Sequence, residues 1–214
     1  MAAQPIAIHG HGILPGLLAV HLLAQRPLQP LLVLSADPKL GGSHLEPVVA
    51  SRLSDVARSL VEPFVVSSWP AYYLVASGKT DLQEDEVLLL DPLQVWLDLH
   101  GRLDGGALIA PCGPIRVSGH RVQWAGGEAE VDRLIDVDPL TAHGGESEIV
   151  GVDAARQLTL PVLADYDAGG DQWLAQQYLP LGDERLVVRK LPRAAHLIGA
   201  QSSLETLLNG LTSA

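Results

Sequence analysis

Three glycines near the start of the chain are close to the spacing of a turn that binds a dinucleotide, with the third one residue late. Gly10, Gly12 and Gly16 follow the apolar segment "IAIH" and precede an apolar run that ends near Gln25. In such a turn the first glycine allows a tight bend, the second lets the backbone approach a diphosphate, and the third lets helix and strand pack closely. The unpaired N–H groups of the helix then face the phosphates. Here Pro15 occupies the third position and Gly16 follows it.

The second half of such a site is an acidic residue at the end of the next strand, which binds the ribose hydroxyls. In "LLVLSADP" that position is Ser35, and Asp37 lies two residues further on. Two interpretations therefore stay open. Either the turn binds a dinucleotide weakly with altered ribose contacts, or its glycines serve the backbone alone.

The other polar residues give weaker evidence for a functional site. His9 and His11 are two residues apart, as ligands on one face of a strand would be, but no third ligand lies nearby in the sequence, so we predict no metal site. Cys112 stands between prolines in a predicted loop, where nothing in the sequence activates it. The acidic run "DLQEDEV" is predicted to be a solvated loop.

Composition limits the class of protein. The chain has 214 residues, 47% hydrophobic and 18% charged, with a net charge of -11. Such acidity disfavours nucleic acid as a partner. No apolar segment is long enough to span a bilayer, and no signal peptide is visible. With a single cysteine, a reducing compartment is expected, and we predict a cytoplasmic protein.

The order of elements predicts the fold class. Strand, glycine turn, helix and second strand form a βαβ unit over residues 1–45, so an α/β fold with a parallel sheet is expected. "DPLQVWLDLHGRL" predicts a helix that is capped by Asp91, and Ser118-Gly119 predicts a hairpin turn. Residues 150–200 read as mostly antiparallel strands. We expect residues 1–214 to form one compact unit.

Several segments together resemble the bacterial lycopene β-cyclases. The glycine turn is followed by "QRPLQPLLVLSADPKLGGSH", then "SLVEPFVVSSWPAYYLV", "PLQVWLDLHGRL", "RLIDVDP" and "LPVLADYDAGGDQWLAQQYLPLGDERLVVRK". Their order and spacing match that family from about residue 6 to residue 191. The resemblance implies an FAD-binding βαβ layer with an added antiparallel sheet, shortened at its C-terminus. It also implies a cofactor site that includes Gly10, Gly12, Gly16, Ser35, Gly41 and Gly42.

The resemblance implies an activity that this chain has lost in part or entirely. Family members protonate lycopene with an acidic side chain and form β-rings, using reduced flavin without net redox change. Arg189 stands where the resemblance places that acid, and a guanidinium cannot donate the proton. Asp136 keeps one acid of the Asp-Gly-Arg-Gly motif, but Val137, Asp138 and Pro139 replace the rest. We therefore assign no catalytic residue, and we expect weak FAD binding or none.

The sequence leads to two functional hypotheses. The first is a lycopene-cyclase-like flavoprotein that is linked to carotenoid biosynthesis, with impaired or absent cyclase activity. The second is a non-catalytic relative that keeps the fold without FAD. The expected partners are a carotenoid or another apolar small molecule, a second copy of the chain or a partner enzyme, and the inner face of a membrane at its periphery.

Overall fold

The computed structural model describes residues 4–38, 45–76, 79–103, 106–137, 146–151, 158–167, 173–181, 185–192 and 208. The helices among them are α1 (Leu14–Gln25), α2 (Asp55–Val61) and α3 (Pro92–Arg102). The strands are β1 (Ile6–Gly10), β2 (Leu31–Ser35), β3 (Glu46–Val49), β4 (Val65–Trp69), β5 (Tyr72–Ala76), β6 (Lys79–Gln83), β7 (Val87–Leu90), β8 (Ala107–Ile109), β9 (Arg116–Ser118), β10 (Arg121–Trp124), β11 (Gly127–Glu130), β12 (Arg133–Asp136), β13 (Glu146–Gly151), β14 (Val162–Asp167), β15 (Trp173–Leu181) and β16 (Arg185–Pro192).

A parallel sheet with the order β12-β1-β2-β8 forms the first layer. β1 and β2 are buried along their whole length, which explains why both are continuous apolar runs rather than alternating ones. α1 connects them and is buried from Leu14 to Leu23. Because all four strands are parallel, their carboxyl ends meet at one edge of the sheet.

Antiparallel pairing dominates the rest of the described chain. β9, β10 and β11 form a small sheet whose first turn contains Gly119 at φ 59°. β3, β7 and β4 form another three-stranded sheet. The largest sheet has the order β13-β16-β15-β14-β5-β6, in which only the pairing of β14 with β5 is parallel.

The buried apolar side chains form three clusters. The largest joins β1, β2 and the helices, with Ile8, Leu18 and Leu99 fully buried. A second lies between the six-stranded sheet and the sheet of β3, β4 and β7, around Leu89, Leu163 and Leu179. The third joins the other face of the parallel sheet to the small sheet. The parallel layer is therefore packed on both faces, which fixes the positions of its strand ends.

The structure confirms the predicted fold class of a parallel layer with antiparallel sheets, and it corrects details. The sequence predicts a helix over 16–25, whereas α1 begins at Leu14, because Pro15 fits a first helical turn, where its missing N–H is not needed. The prediction that "DLQEDEV" is a loop is wrong for its first three residues, which belong to the exposed strand β6 that ends at Gln83. Gly41 and Gly42 lie outside the described residues. The sequence also predicts a short helix in "SSLETLLNG", of which only Leu208 is described. None of the helices found in the described ranges is long and apolar enough to cross a membrane.

Candidate functional site

The glycine turn lies where the order of the parallel sheet reverses. β2 lies on one side of β1 and β12 on the other, so the order of the sheet reverses between β1 and β12. In open α/β sheets, ligands bind at such a point. We refer to the residues gathered there, namely His9, Gly10, His11, Gly12, Asp37 and Asp136, as the glycine-turn edge.

Gly12 has a backbone conformation that requires glycine. Its φ is 69°, in the left-handed region, and a Cβ atom added to it would have no heavy atom within 4 Å. The glycine is therefore needed for the conformation of the turn, and space remains open above its backbone. A diphosphate could approach this backbone closely, which is the fit that a dinucleotide requires.

Asp37 places a carboxylate directly beside the turn. Its Oδ2 accepts a hydrogen bond from the backbone N–H of Gly12 at 2.7 Å, and its Oδ1 lies 3.1 Å from Nδ1 of His11. The side chains of Asp37 and His11 remain 23% and 36% exposed. The edge therefore holds an acidic group after β2, two residues beyond the position of Ser35.

A second histidine–carboxylate pair joins β1 to β12. Nδ1 of His9 lies 2.9 Å from Oδ1 of Asp136, and the two residues are in register in the parallel pairing. Because an ionised carboxylate only accepts, Nδ1 carries the proton of this hydrogen bond. His9 is buried, whereas the side chain of Asp136 is 43% exposed. Asp136 can therefore contact a ligand at this edge of the sheet while it holds the histidine.

The first turn of α1 has no internal cap. Ile13 precedes the helix in a helical conformation without a side-chain hydrogen bond, and the first turn contains no acidic residue. The first N–H groups of a helix attract anions through their unpaired donors and the helix dipole. Together with the open space beside Gly12, this helix end is a place where an anion could bind.

The other cofactor residues predicted from the sequence have different positions. Gly10 ends β1 in register with Ser35, and its carbonyl accepts from Ala36. Gly16 is buried inside α1. Ser35 is fully buried, and its Oγ has no hydrogen-bond partner. The structure thus brings Gly10, Gly12 and Ser35 to one edge, and Gly12 presents open space there.

Arg189 belongs to a different polar group, the Arg189 cluster, which consists of Arg189, Gln177 and Glu46. Its Nη1 donates to Oε1 of Gln177 at 3.0 Å, and its Nη2 donates to Oε2 of Glu46 at 2.9 Å. These bonds connect β15 and β16 of the six-stranded sheet to β3. Arg189 is 6% exposed. The position that the resemblance assigns to an acid therefore holds a buried cation paired with a carboxylate from another sheet.

Burial changes the pKa of two side chains away from the edge. Burial in α1 lowers the pKa of His21 below its usual 6.5, and its Nε2 accepts from the amide of Gln25 at 2.9 Å. Burial raises the pKa of Tyr72, with Arg52 opposing the shift and Asp85 adding to it. Among the described residues, no three His, Cys, Asp or Glu side chains come together as a metal site.

Sequence reasoning missed two contacts of the edge. His9 and His11 were predicted to point to one face of a strand, but His11 lies beyond the end of β1, and each histidine contacts its own aspartate. The pairing of His9 with Asp136 spans 127 positions, so no local spacing could indicate it. The contact of Asp37 with Gly12 had one signal, an acidic residue soon after the second strand.

Comparison with known proteins supports the fold. No protein-family model matches the chain, and no curated protein matches it. A solved flavin-dependent halogenase from Xanthomonas campestris is similar with a TM-score of 0.59 and 10% identity, over 98% of this chain and 59% of that one. A peptidyl tryptophan dihydroxylase essential for tryptophylquinone cofactor biogenesis is similar with a TM-score of 0.52 and 16% identity, over 99% of this chain and 51% of that one.

A probable FAD-dependent monooxygenase from Pseudomonas aeruginosa gives a TM-score of 0.53 and 13% identity, over 90% of this chain and 62% of that one. The chain therefore spans between about half and three fifths of the length of these structures. It has the fold of FAD-dependent monooxygenases and halogenases. At such low identity the likeness concerns the fold alone.

Proposed function

We propose that this protein binds an FAD-type dinucleotide at the glycine-turn edge and does not cyclise lycopene. The observation that carries the proposal is the contact of the Asp37 carboxylate with the N–H of Gly12 at 2.7 Å. It puts an acidic acceptor beside an open glycine turn, which is the combination that binds a ribose next to a diphosphate.

Different residues of the glycine-turn edge would bind different parts of the dinucleotide. The uncapped start of α1 and the open space beside Gly12 suit the diphosphate. Asp37 suits the ribose hydroxyls, because each of its carboxylate oxygens has two lone pairs. Oδ1 uses one of them for His11 and Oδ2 uses one for Gly12, so each oxygen can accept one more hydrogen bond. Asp136 is exposed enough to contact the ligand on the β12 side. A bound flavin would supply the redox chemistry, which is that of the cofactor.

The proposed absence of cyclase activity is supported by the Arg189 cluster. Protonation of a polyene needs an acid in contact with it, whereas Arg189 keeps its proton and its positive charge. A fixed cation also disfavours the carbocation that cyclisation forms. The pairing of Arg189 with Glu46 and Gln177 makes this arrangement part of the packing between sheets.

A second candidate is a relative that keeps the fold without a dinucleotide and binds an apolar small molecule or a partner protein. The hydrogen bond between Gly12 and Asp37, which supports dinucleotide binding, is also compatible with this second candidate, because Asp37 already accepts from the N–H of Gly12. The backbone of the turn is then complete without a ligand.

Titration with FAD, followed by flavin fluorescence and calorimetry, separates the two candidates. We expect saturable binding that Asp37→Ala weakens and that Asp132→Ala, a change of an exposed acid in the turn before β12, leaves unchanged. Absence of saturation at millimolar FAD would overturn the proposal in favour of the second candidate. Incubation with lycopene and reduced FAD should give no β-ring product, and formation of such rings would overturn the statement about cyclase activity.

A further inference from the structure

We infer that β6 is the contact surface for a second copy of this chain, which joins two six-stranded sheets into one across a twofold axis at Leu82. β6 is the last strand of its sheet and, among the described strands, pairs only with β5. Its other edge presents backbone N–H and C=O groups, and such an edge is a template for pairing with another strand. The inference goes beyond dinucleotide binding and does not depend on it.

A row of apolar side chains crosses the six-stranded sheet and ends at this edge. Leu82 is in register with Tyr73 of β5, and Tyr73 is in register with Val162 of β14. The row continues through Tyr178 of β15 to Val188 of β16. Exposure rises toward the edge, from 9% at Val188 to 37% at Tyr73 and 49% at Leu82. The end of the row therefore places two large apolar side chains in contact with water.

A second copy of β6 covers this end of the row with the same chemistry. When two identical antiparallel strands pair in one sheet, a twofold axis perpendicular to the sheet relates them, so the residue on the axis meets its own copy. With the axis at Leu82, this side chain lies opposite the partner's Leu82 on the same face of the sheet. Each leucine then shields the other from water, and the apolar row becomes continuous across both copies.

The charges around β6 complement each other in this register. Lys79 precedes Leu82 by three positions and Asp85 follows it by three, so Lys79 of each copy lies opposite the partner's Asp85. Lys79 is exposed and Asp85 is partly exposed, with its Oδ2 accepting a hydrogen bond from Oγ of Ser51. Two opposite-charge pairs thus form, one at each end of the paired segment, and such cross-strand pairs are stabilising.

The neighbouring registers are less favourable. Because paired side chains must lie on the same face, the axis moves in steps of one residue, and each step shifts the pairing by two positions. An axis at Asp81 would place two carboxylates directly opposite each other, which is destabilising. An axis at Thr80 would again pair Lys79 with an acid, but it would move the two Leu82 side chains apart. Only the axis at Leu82 joins the apolar contact to both ion pairs.

Sedimentation velocity of the full chain is the first test. Because one pair of strands is a small interface, we expect a dimer with a micromolar dissociation constant. Leu82→Lys places two charges where the leucines meet and should raise that constant by about tenfold or more. Val117→Lys is the matched control, since it changes an exposed apolar residue of β9, another edge strand, and should leave the constant unchanged. Far-UV circular dichroism checks that both variants fold.

Cysteine cross-linking tests the register. The one natural cysteine, Cys112, is buried, so a cysteine added on the exposed edge reports alone. Directly opposite residues of antiparallel strands have Cβ atoms about 4.5–5.5 Å apart, close to the separation in a disulfide. Leu82→Cys should therefore form a covalent dimer on oxidation, and it should do so several-fold faster than Asp81→Cys or Val117→Cys.

Charge reversal tests the ion pairs. Lys79→Glu replaces two attractions by two repulsions and should raise the dissociation constant by about tenfold. The combination of Lys79→Glu with Asp85→Lys restores opposite charges in the dimer and should bring the constant back to within about threefold of wild type. Failure of the combined variant to recover dimerisation would overturn the pairing of Lys79 with Asp85.

The remaining outcomes are equally decisive. A chain that stays monomeric at every concentration would overturn the inference and leave this edge to a strand of another protein. A dimer that persists in Leu82→Lys would place the contact elsewhere and overturn it too. Fastest cross-linking at Asp81 would overturn the axis at Leu82. None of these results depends on FAD, so the proposed function stands or falls by the FAD titration alone.

Discussion

The glycine-turn edge and the Arg189 cluster both bring charged side chains from separate strands together, but they differ in their access to solvent. At the edge, the side chains of His11 and Asp136 are 36% and 43% exposed. In the cluster, the side chain of Arg189 is 8% exposed, and Gln177 is 2% exposed. A ligand can replace water at the first group with little loss, whereas any rearrangement of the second leaves a buried charge unpaired. The first group therefore suits binding, and the second suits the joining of sheets.

The largest effect is expected from breaking the Arg189 cluster. Glu46→Ala removes the carboxylate that pairs with Arg189 and should lower the free energy of unfolding by about 3–5 kcal/mol, because the guanidinium stays buried without its partner. Arg189→Met, which fills similar space without charge, should cost much less. Urea denaturation of both variants measures the difference. Equal losses would mean that the cluster contributes packing alone.

The next effect concerns the two glycines with open surroundings and positive φ. Gly12→Ala and Gly119→Ala should each cost about 1–2 kcal/mol, because L residues are strained in the left-handed region. Only Gly12→Ala should also abolish FAD binding, since Gly119 lies in the β9–β10 hairpin. Parallel urea denaturation and FAD titration of the pair measure both effects. Retained FAD binding in Gly12→Ala would move the site away from the glycine-turn edge.

A smaller effect of opposite sign is expected at Ser35. Its Oγ is buried without a hydrogen-bond partner, so Ser35→Ala should raise the free energy of unfolding by about 1 kcal/mol. FAD affinity should stay the same if Asp37 binds the ribose, and it should fall if Ser35 does. Thermal denaturation with FAD titration therefore decides between the two residues.

The smallest effect is a pH dependence of stability that arises at His21. Burial lowers its pKa in the folded state below 6.5, so the unfolded chain binds the proton more readily. Stability should be complete above about pH 6.5 and should decline as the pH falls below that value. His21→Gln should reduce this decline, and His120→Asn should leave it unchanged. A decline of the same size in His21→Gln would assign it to other groups.

The parts of the fold that could be predicted are those in which local sequence and burial agree. β1, α1 and β2 are continuous apolar runs separated by glycine and proline, and α3 begins at Asp91 and Pro92 as a capped helix should. β6 was missed because four of its five residues are exposed, so no apolar alternation marks it. Its pairing with β5 alone makes it a strand.

The candidate site was predictable only in its backbone. The glycines predicted the turn, because the conformation that requires a glycine depends only on the neighbouring residues. Asp136, the partner of His9, lies 127 positions away in the sequence, and Glu46, the partner of Arg189, lies 143 positions away. Such contacts depend on how the sheets assemble. The cofactor roles of Gly41 and Gly42 remain predictions, as does the role of Ser35.

The parallel pairing of β1 with β12 has a consequence for the order of events in folding. β1 is flanked by a strand that is made soon after it and by one made more than 120 residues later, and the amide of Val137 completes the backbone bond to His9. During synthesis, β1, α1 and β2 emerge with one side of β1 unpaired until residues 133–137 arrive. Contacts between such distant segments close large loops and slow folding. The edge of the sheet at the end of β1 is thus assembled only after residues 133–137 have been made.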